Sequence, residues 1–363
     1  MMVINPIYAH LSPTLNSTRE ELEFGPSLPD FSIDQRTWCK TCQKIALLVL
    51  KIALFPWFLF EVVRWVTQRL LMASLYPAQS SYVKCFKKTA HRTANLDLCR
   101  LQIPEQLAGG HPIIRHVRLE KDGISFSGLL LSTAATIQNG KWILQATGSH
   151  EPIERAAHLL EAYQTVGFNL LMVNGPGVGR SEGMANAETL GDPQEMGITF
   201  LETAINANRV VIAGFSLGGA AIGRAIEEHE FKVDEKNYLV IRQMSFDKVS
   251  NVGRKMFRKK GSCLTHFSRF LTWLGKIEID NLTSSKRLLE LNIPEEIIQS
   301  GDADTFTDDG IVMEKATLGR RLKKEGIVHP ELKSFRNVPN SGHTMPIEST
   351  LDAIRDWELR IDN

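Results

Sequence analysis

Hydrophobic and polar positions divide the chain into two textures. From Ile113 onward, short apolar runs alternate with stretches of helical spacing. "IIRHVRLE", "ISFSGLLL" and "KWILQAT" predict three consecutive strands, and the Asp-Gly and Asn-Gly pairs between them are hairpin turn signals. "EPIERAAHLLEAYQTVG" predicts an amphipathic helix with Pro152 in its first turn and Gly167 at its close. Strand and helix then alternate through "FNLLMV", "DPQEMGITFLETAIN", "RVVIAG", "LGGAAIGRAIEEH" and "YLVIRQM". A longer, less regular segment spans Phe246 to Asn292. After it, "PEEIIQS" and "LKSFRNV" predict the last two strands and "PIESTLDAIRDWELRI" a closing helix. An antiparallel start followed by this alternation predicts an α/β fold. Its sheet is mostly parallel and doubly wound, with helices on both faces.

The N-terminal texture is different. Residues 1–35 are polar, dotted with Pro and Ser and without a period, which predicts a loosely ordered tail and no signal peptide. Residues 36–100 form a hydrophobic helical segment containing "KIALLVLKIALFPWFLFEVVRWVTQRLLM". Its apolar run from Ile45 to Phe60 is broken only by Lys51 and falls short of the roughly 20 residues that span a bilayer. Extension to Met72 admits Glu61, Arg64, Gln68 and Arg69 at roughly helical spacing. Two readings stand. Helices kinked at Pro56 pack on the main domain, or residues 45–72 meet a membrane surface with Trp57 and Trp65 at headgroup level and Arg64 and Arg69 facing phosphate.

Composition narrows the function classes. The 363 residues include 42 basic and 41 acidic side chains, a net charge of +1 that gives no reason to expect nucleic acid. Hydrophobic residues make up 43%, enough for a full core. The five cysteines, at 39, 42, 85, 99 and 263, are odd in number and irregular in spacing. That argues for reduced thiols, and so for a reducing compartment over a disulfide-forming one. Cys39-x-x-Cys42 is half of a zinc pattern with no second Cys/His pair nearby, so no metal site is expected.

The stretch "VNGPGVGRSEG" follows a buried-looking strand and invites comparison with a phosphate loop. Asn174 stands where such a loop has its first glycine and Arg180 replaces its lysine, so no nucleotide is expected. The chemistry is announced one strand later. Gly214-Phe215-Ser216-Leu217-Gly218 lies between a strand and a helix. A sharp turn there lifts a serine hydroxyl clear of the backbone, and flanking glycines avoid the clash a Cβ would make. Ser216 is therefore the candidate nucleophile. His343, in "NSGHTMP" between the last strand and the last helix, is the candidate base. For the acid that orients it, "SGDADTFTDD" offers Asp304 first and Asp302 second, with Asp308 and Asp309 expected to begin the next helix. An oxyanion hole requires two N–H donors: Leu217, at the helix start, and Gly148 or Ser149 in the "ATGSHEP" loop. His150 in that loop is a candidate substrate contact or a solvated residue.

With "GFSLGG", "GPGVGRSEG", "QSGDADTFT" and "SGHTMP" in the order Ser, Asp, His, the chain resembles the α/β-hydrolase superfamily from about Ile113 to its end. The hydrophobic N-terminal segment, "IRQMSFDKVSNVGRKMF" and "ATGSHE" further resemble uncharacterised α/β-hydrolase-like proteins of Chlamydia and Legionella. The superfamily resemblance implies an α/β-hydrolase domain over 113–363 with a cap at about 246–292. It also implies acyl transfer to Ser216, acting on an ester, a lipid-like acyl substrate, a thioester or an amide, with no cofactor needed. A serine peptidase or amidase is the enzymatic alternative. A membrane-tethered scaffold that binds a partner is the non-enzymatic one, and the complete Ser-Asp-His set counts against it. Oligomeric state is not fixed by any of these residues.

Overall fold

The computed structural model describes residues 31–33, 59–68, 112–149, 152–252, 277–302, 305–339 and 341–363. Most of the expected tail and of the 36–100 segment lies outside these residues, with Cys39 and Cys42. So do His150, Asp304 and residues 253–276 of the expected cap.

Ten strands form the sheet: β1 (Phe31–Ile33), β2 (Pro112–Lys121), β3 (Ile124–Thr133), β4 (Lys141–Ala146), β5 (Asn169–Val173), β6 (Arg209–Phe215), β7 (Asn237–Gln243), β8 (Glu295–Asp302), β9 (Thr305–Phe306) and β10 (Lys333–Val338). Their order is β1-β2-β3-β5-β4-β6-β7-β8-β10, with β9 folded back on β8. β3 runs antiparallel to both β2 and β5, and the neighbours from β5 through β10 are parallel. This is the mostly parallel α/β sheet with an antiparallel N-terminal strand that the hydrophobic pattern predicts. β1, at the end of the stretch expected to be loosely ordered, adds a short parallel edge to β2.

The two turn signals behave differently. Lys121 pairs with Ile124, and Asp122 (φ 52°) and Gly123 (φ 75°) both adopt positive φ, as a two-residue type I′ hairpin requires. Asn139-Gly140 does not close a hairpin. β5 inserts between β3 and β4, and β4 pairs in parallel with β5 and β6.

Helices α1 (Leu159–Gln164), α2 (Asp192–Thr203), α3 (Leu217–Glu228), α4 (Asn281–Glu290), α5 (Leu318–Lys324) and α6 (Ile347–Asp362) flank the sheet. Strand alternation sorts the core into two layers. Trp142, Leu144, Val210 and Ile212 face Met196, Leu201, Ile222, Ile226 and Leu288 of α2, α3 and α4. Ile143, Val211 and Ala213 face Leu160 and Tyr163 of α1 and Ile354 and Trp357 of α6. α4 packs on α3 and is the crossover helix between β7 and β8. The C-terminal part of the segment expected to be a cap, over α4, therefore packs on the sheet domain.

The helical stretch over residues 59–68 carries a Glu61–Arg64 ion pair, while Leu59, Phe60, Val62, Val63, Trp65 and Val66 are exposed. Among the described residues, no helix is long and apolar enough to cross a membrane.

Candidate active site

The carboxyl ends of β4, β6, β8 and β10 deliver four segments to one edge of the sheet, where open α/β sheets carry their ligands. β6 ends at Phe215 and α3 begins at Leu217, leaving Ser216 alone in the turn with φ 54° and ψ −116°. A non-glycine residue in this region costs about 1–3 kcal/mol and persists only where its surroundings enforce it. Here the Ser216 N–H donates to the Gln243 carbonyl at 2.8 Å, and the Gly219 N–H donates to the Ser216 carbonyl at 3.0 Å. The glycines are dictated by contact. A Cβ on Gly214 would stand 2.7 Å from the Gly218 carbonyl oxygen, and one on Gly218 would stand 2.3 Å from that of Ala146. One on Gly219 would collide with the Ser245 hydroxyl. Ser216 is 9% exposed, so little of the residue meets solvent.

His343 lies in the loop between β10 and α6. Its Nε2 is 2.8 Å from Ser216 Oγ and its Nδ1 is 2.7 Å from Asp309 Oδ2. The imidazole also packs against Phe215, with ring centroids 5.1 Å apart and the rings tilted by 40°. With the Asp309 carboxylate accepting from Nδ1–H, Nε2 is left to accept the serine proton. The Asp309 side chain is 4% exposed and that of His343 is 15% exposed, so the pair is largely shielded from water.

The residue against Nδ1 corrects the sequence reading. Asp304, the acid the sequence favours, lies outside the described residues; the carboxylate that meets His343 belongs to Asp309. Asp302, the second choice, is exposed at the turn where β8 folds back into β9. This hairpin reverses the chain at the sheet edge, so the reaching carboxylate comes from beyond β9. Nor does Asp309 begin a helix. Its Oδ1 accepts from the N–H groups of Ile311 (2.8 Å) and Val312 (2.6 Å), an Asx-type turn that leaves Oδ2 for the histidine. The signal available in the sequence was Asp-Gly followed by Ile-Val, a turn pattern.

The loop after β4 passes under the serine. A Cβ on Gly148 would lie 3.8 Å from Ser216 Cβ and 3.1 Å from the Phe215 ring. Gly148 thus borders the nucleophile; Ser149 follows it, and Leu217 opens α3. The glycine-rich loop after β5 docks on β3. Asn174 N–H donates to the Ser127 carbonyl (2.9 Å), Glu182 N–H to the Ser125 carbonyl (2.8 Å), and Ser127 N–H to Ser181 Oγ (2.9 Å). Three of its polar groups are thereby engaged with the sheet, and Val178 shares an apolar cluster with Leu217 of α3.

A charged cluster lies beneath α3. Arg242, fully buried, donates to Glu295 Oε1 (3.1 Å), Ser284 Oγ (2.7 Å) and the Gly219 carbonyl. Lys333, also buried, donates to Glu295 Oε2 at 2.5 Å. Burial alone would raise the Glu295 carboxyl, but Lys333 and Arg242 outweigh it and hold the group below its ordinary range. Elsewhere on this edge, burial pushes the Asp247 carboxyl up to about 6 despite hydrogen bonds from Asn251 and the Lys248 N–H. No group of three or more His, Cys, Asp or Glu side chains able to hold a metal occurs among the described residues.

A family model described as Chlamydia CHLPS protein (DUF818) matches residues 37–355. The chain belongs to this family. Its fold is that of the α/β hydrolases, shared with solved structures at low identity. The Pyrococcus furiosus esterase Pf2001 is 18% identical with a TM-score of 0.50, over 71% of this chain and 93% of that one. An alpha-beta hydrolase from Vibrio vulnificus is 14% identical with a TM-score of 0.53, over 72% of this chain and 86% of that one. No curated protein matches the sequence.

Proposed function

We propose that this member of the CHLPS family is a serine hydrolase that cleaves an ester or lipid-like acyl substrate through an acyl-enzyme. The observation that carries the reading is the continuous contact from Ser216 Oγ through His343 to Asp309, at 2.8 and 2.7 Å. In this mechanism His343 Nε2 takes the Ser216 proton as Oγ attacks the carbonyl carbon. Asp309 stabilises the imidazolium that results. The Leu217 N–H, at the start of α3 where helical N–H groups lack intrahelical partners, and an N–H of Gly148 or Ser149 receive the oxyanion. His343 then protonates the leaving group, and afterwards deprotonates the water that releases the acid. One protein sharing the fold is an esterase, which agrees with the acyl ester reading.

A fluorophosphonate probe tests this directly. It should label the folded protein, and Ser216→Ala should abolish labelling without lowering the melting temperature. Hydrolysis of p-nitrophenyl esters of increasing chain length, beside peptide anilides, then assigns the substrate class. Turnover of the anilides alone would replace the esterase reading by a peptidase. A folded wild-type protein inert to every serine-directed probe would leave only the scaffold. The exposed apolar side chains of the 59–68 helix further support contact with a lipid surface. Flotation with anionic vesicles should be lost on Trp65→Glu with Val63→Glu; unchanged flotation would remove this segment from the interface.

A further inference from the structure

The described residues on either side of positions 150–151 of the loop bearing Gly148 and Ser149 are each held in place. At its start, the Ala146 and Thr147 carbonyls abut Gly218 of the nucleophile turn. At its exit, the Ile153 N–H donates to Asn174 Oδ1 at 3.2 Å, and Asn174 Nδ2 donates to Glu154 Oε2 at 3.4 Å. Ile153, Glu154 and Asn174 are each 1% exposed. Asn174 is itself locked by its N–H on the Ser127 carbonyl and by its own carbonyl, which accepts from Ser181 Oγ at 3.0 Å. Gly179, at φ 59°, makes room for this arrangement, because a Cβ there would stand 2.8 Å from Asn174 Nδ2.

A buried carboxylate and a buried amide are costly unless paired, and an apolar side chain would fill the same space without that cost. What this pair does, and an apolar one would not, is hold a backbone N–H just beyond the loop in a fixed direction. We propose that Asn174 and Glu154 are positioning residues that set the exit of the β4 loop, and through it the oxyanion donors at Gly148 or Ser149. The proposal rests on the serine hydrolase reading. It also gives the glycine-rich loop a role in the chemistry: it carries the strut that the neighbouring loop leans on. Donors aimed before the reaction contribute most when they cannot relax, and a displacement near 1 Å costs about 100-fold in rate.

The test exchanges donor and acceptor in the full chain. Asn174→Asp keeps an acceptor for the Ile153 N–H but sets a carboxylate against Glu154. It should lower kcat on p-nitrophenyl butyrate by about 10- to 100-fold with KM within about threefold. The fluorophosphonate labelling rate should fall, and the inhibition constant of a trifluoromethyl ketone should rise, by a similar factor. Adding Glu154→Gln to Asn174→Asp lets the introduced carboxylate accept from both the Ile153 N–H and the introduced amide. The double variant should restore kcat to within about threefold of wild type. If Asn174→Asp does not fold, Asn174→Leu, which removes both the acceptor for the Ile153 N–H and the donor to Glu154, is read in its place. Unchanged kcat in a wild type that labels, or a loss that the double variant does not repair, overturns the positioning role alone. A wild type that never labels at Ser216 overturns the hydrolase reading, and this inference with it.

Discussion

Asp309→Asn is the sharpest probe of the site. In the wild type the carboxylate accepts from His343 Nδ1 through Oδ2 and from the Ile311 and Val312 N–H groups through Oδ1. An asparagine keeps one oxygen, and the two backbone donors hold it in the turn. The amide nitrogen then faces His343, where it donates and makes Nδ1 an acceptor. The ring proton moves to Nε2, which can no longer take the serine proton 2.8 Å away. Loss of the correct tautomer at such a triad costs about 10⁴ in kcat, or about 5 kcal/mol of transition-state stabilisation. The turn keeps its backbone hydrogen bonds, so folding stability should change by only about 1 kcal/mol. Steady-state hydrolysis of a p-nitrophenyl ester gives the first number and urea unfolding the second. Asp304→Asn, measured in parallel, should stay within about threefold of wild type. If Asp304→Asn loses activity while Asp309→Asn keeps more than a tenth, the assignment of the acid is wrong.

Three further outcomes follow from the geometry. Gly218→Ala forces a Cβ to 2.3 Å from the Ala146 carbonyl oxygen; overpacking of this kind costs about 1–3 kcal/mol or more, and activity should fall further than stability because the serine turn shifts. Glu295→Gln leaves Arg242 and Lys333 buried without their anion, so denaturant unfolding should show a loss of about 3–5 kcal/mol. Asp247 has a folded-state pKa raised to about 6, so its contribution to stability is fully present below about pH 4 and is lost as pH rises to about 6. Wild type measured against Asp247→Asn should therefore lose about 3 kcal/mol across that window and change little above pH 7; a flat difference would show that Asp247 is not held in this environment.

Periodicity and turn chemistry made most of the fold legible. The two-residue Asp-Gly turn, the strand and helix flanking Ser216 and the closing helix all read directly, because local preference and burial agree there. What failed had a non-local cause. Asn139-Gly140 has hairpin chemistry, but the sheet order puts β5 between its strands. α4 lacks an apolar helical period in its first half, because it opens with Asn281 and carries Thr and Ser there. Ser284 and Ser285 are buried there to serve Arg242 and Glu295, so their polarity reflects partners on neighbouring strands. Ser216 and His343 could be chosen from local context, each standing between a strand and a helix. Asp309 could not, because its reach depends on the β8–β9 hairpin, whose two-residue second strand carries no pattern.

The charged cluster and the strained serine are parts of one arrangement. Ser216 sits at φ 54° in the turn between β6 and α3. Apolar contacts alone tolerate sliding, since they are non-directional. The Arg242 guanidinium is not so tolerant: it fixes the Gly219 carbonyl, Ser284 and Glu295 at once, and Lys333 anchors Glu295 from the far side. Gly223 is matched to it, because a Cβ there would lie 2.9 Å from the guanidinium and 2.6 Å from Asn281 Oδ1. A buried ion cluster is a poor source of net stability. Through Arg242 it ties the carbonyl of Gly219, in the first turn of α3 and three residues from Ser216, to α4 and β8.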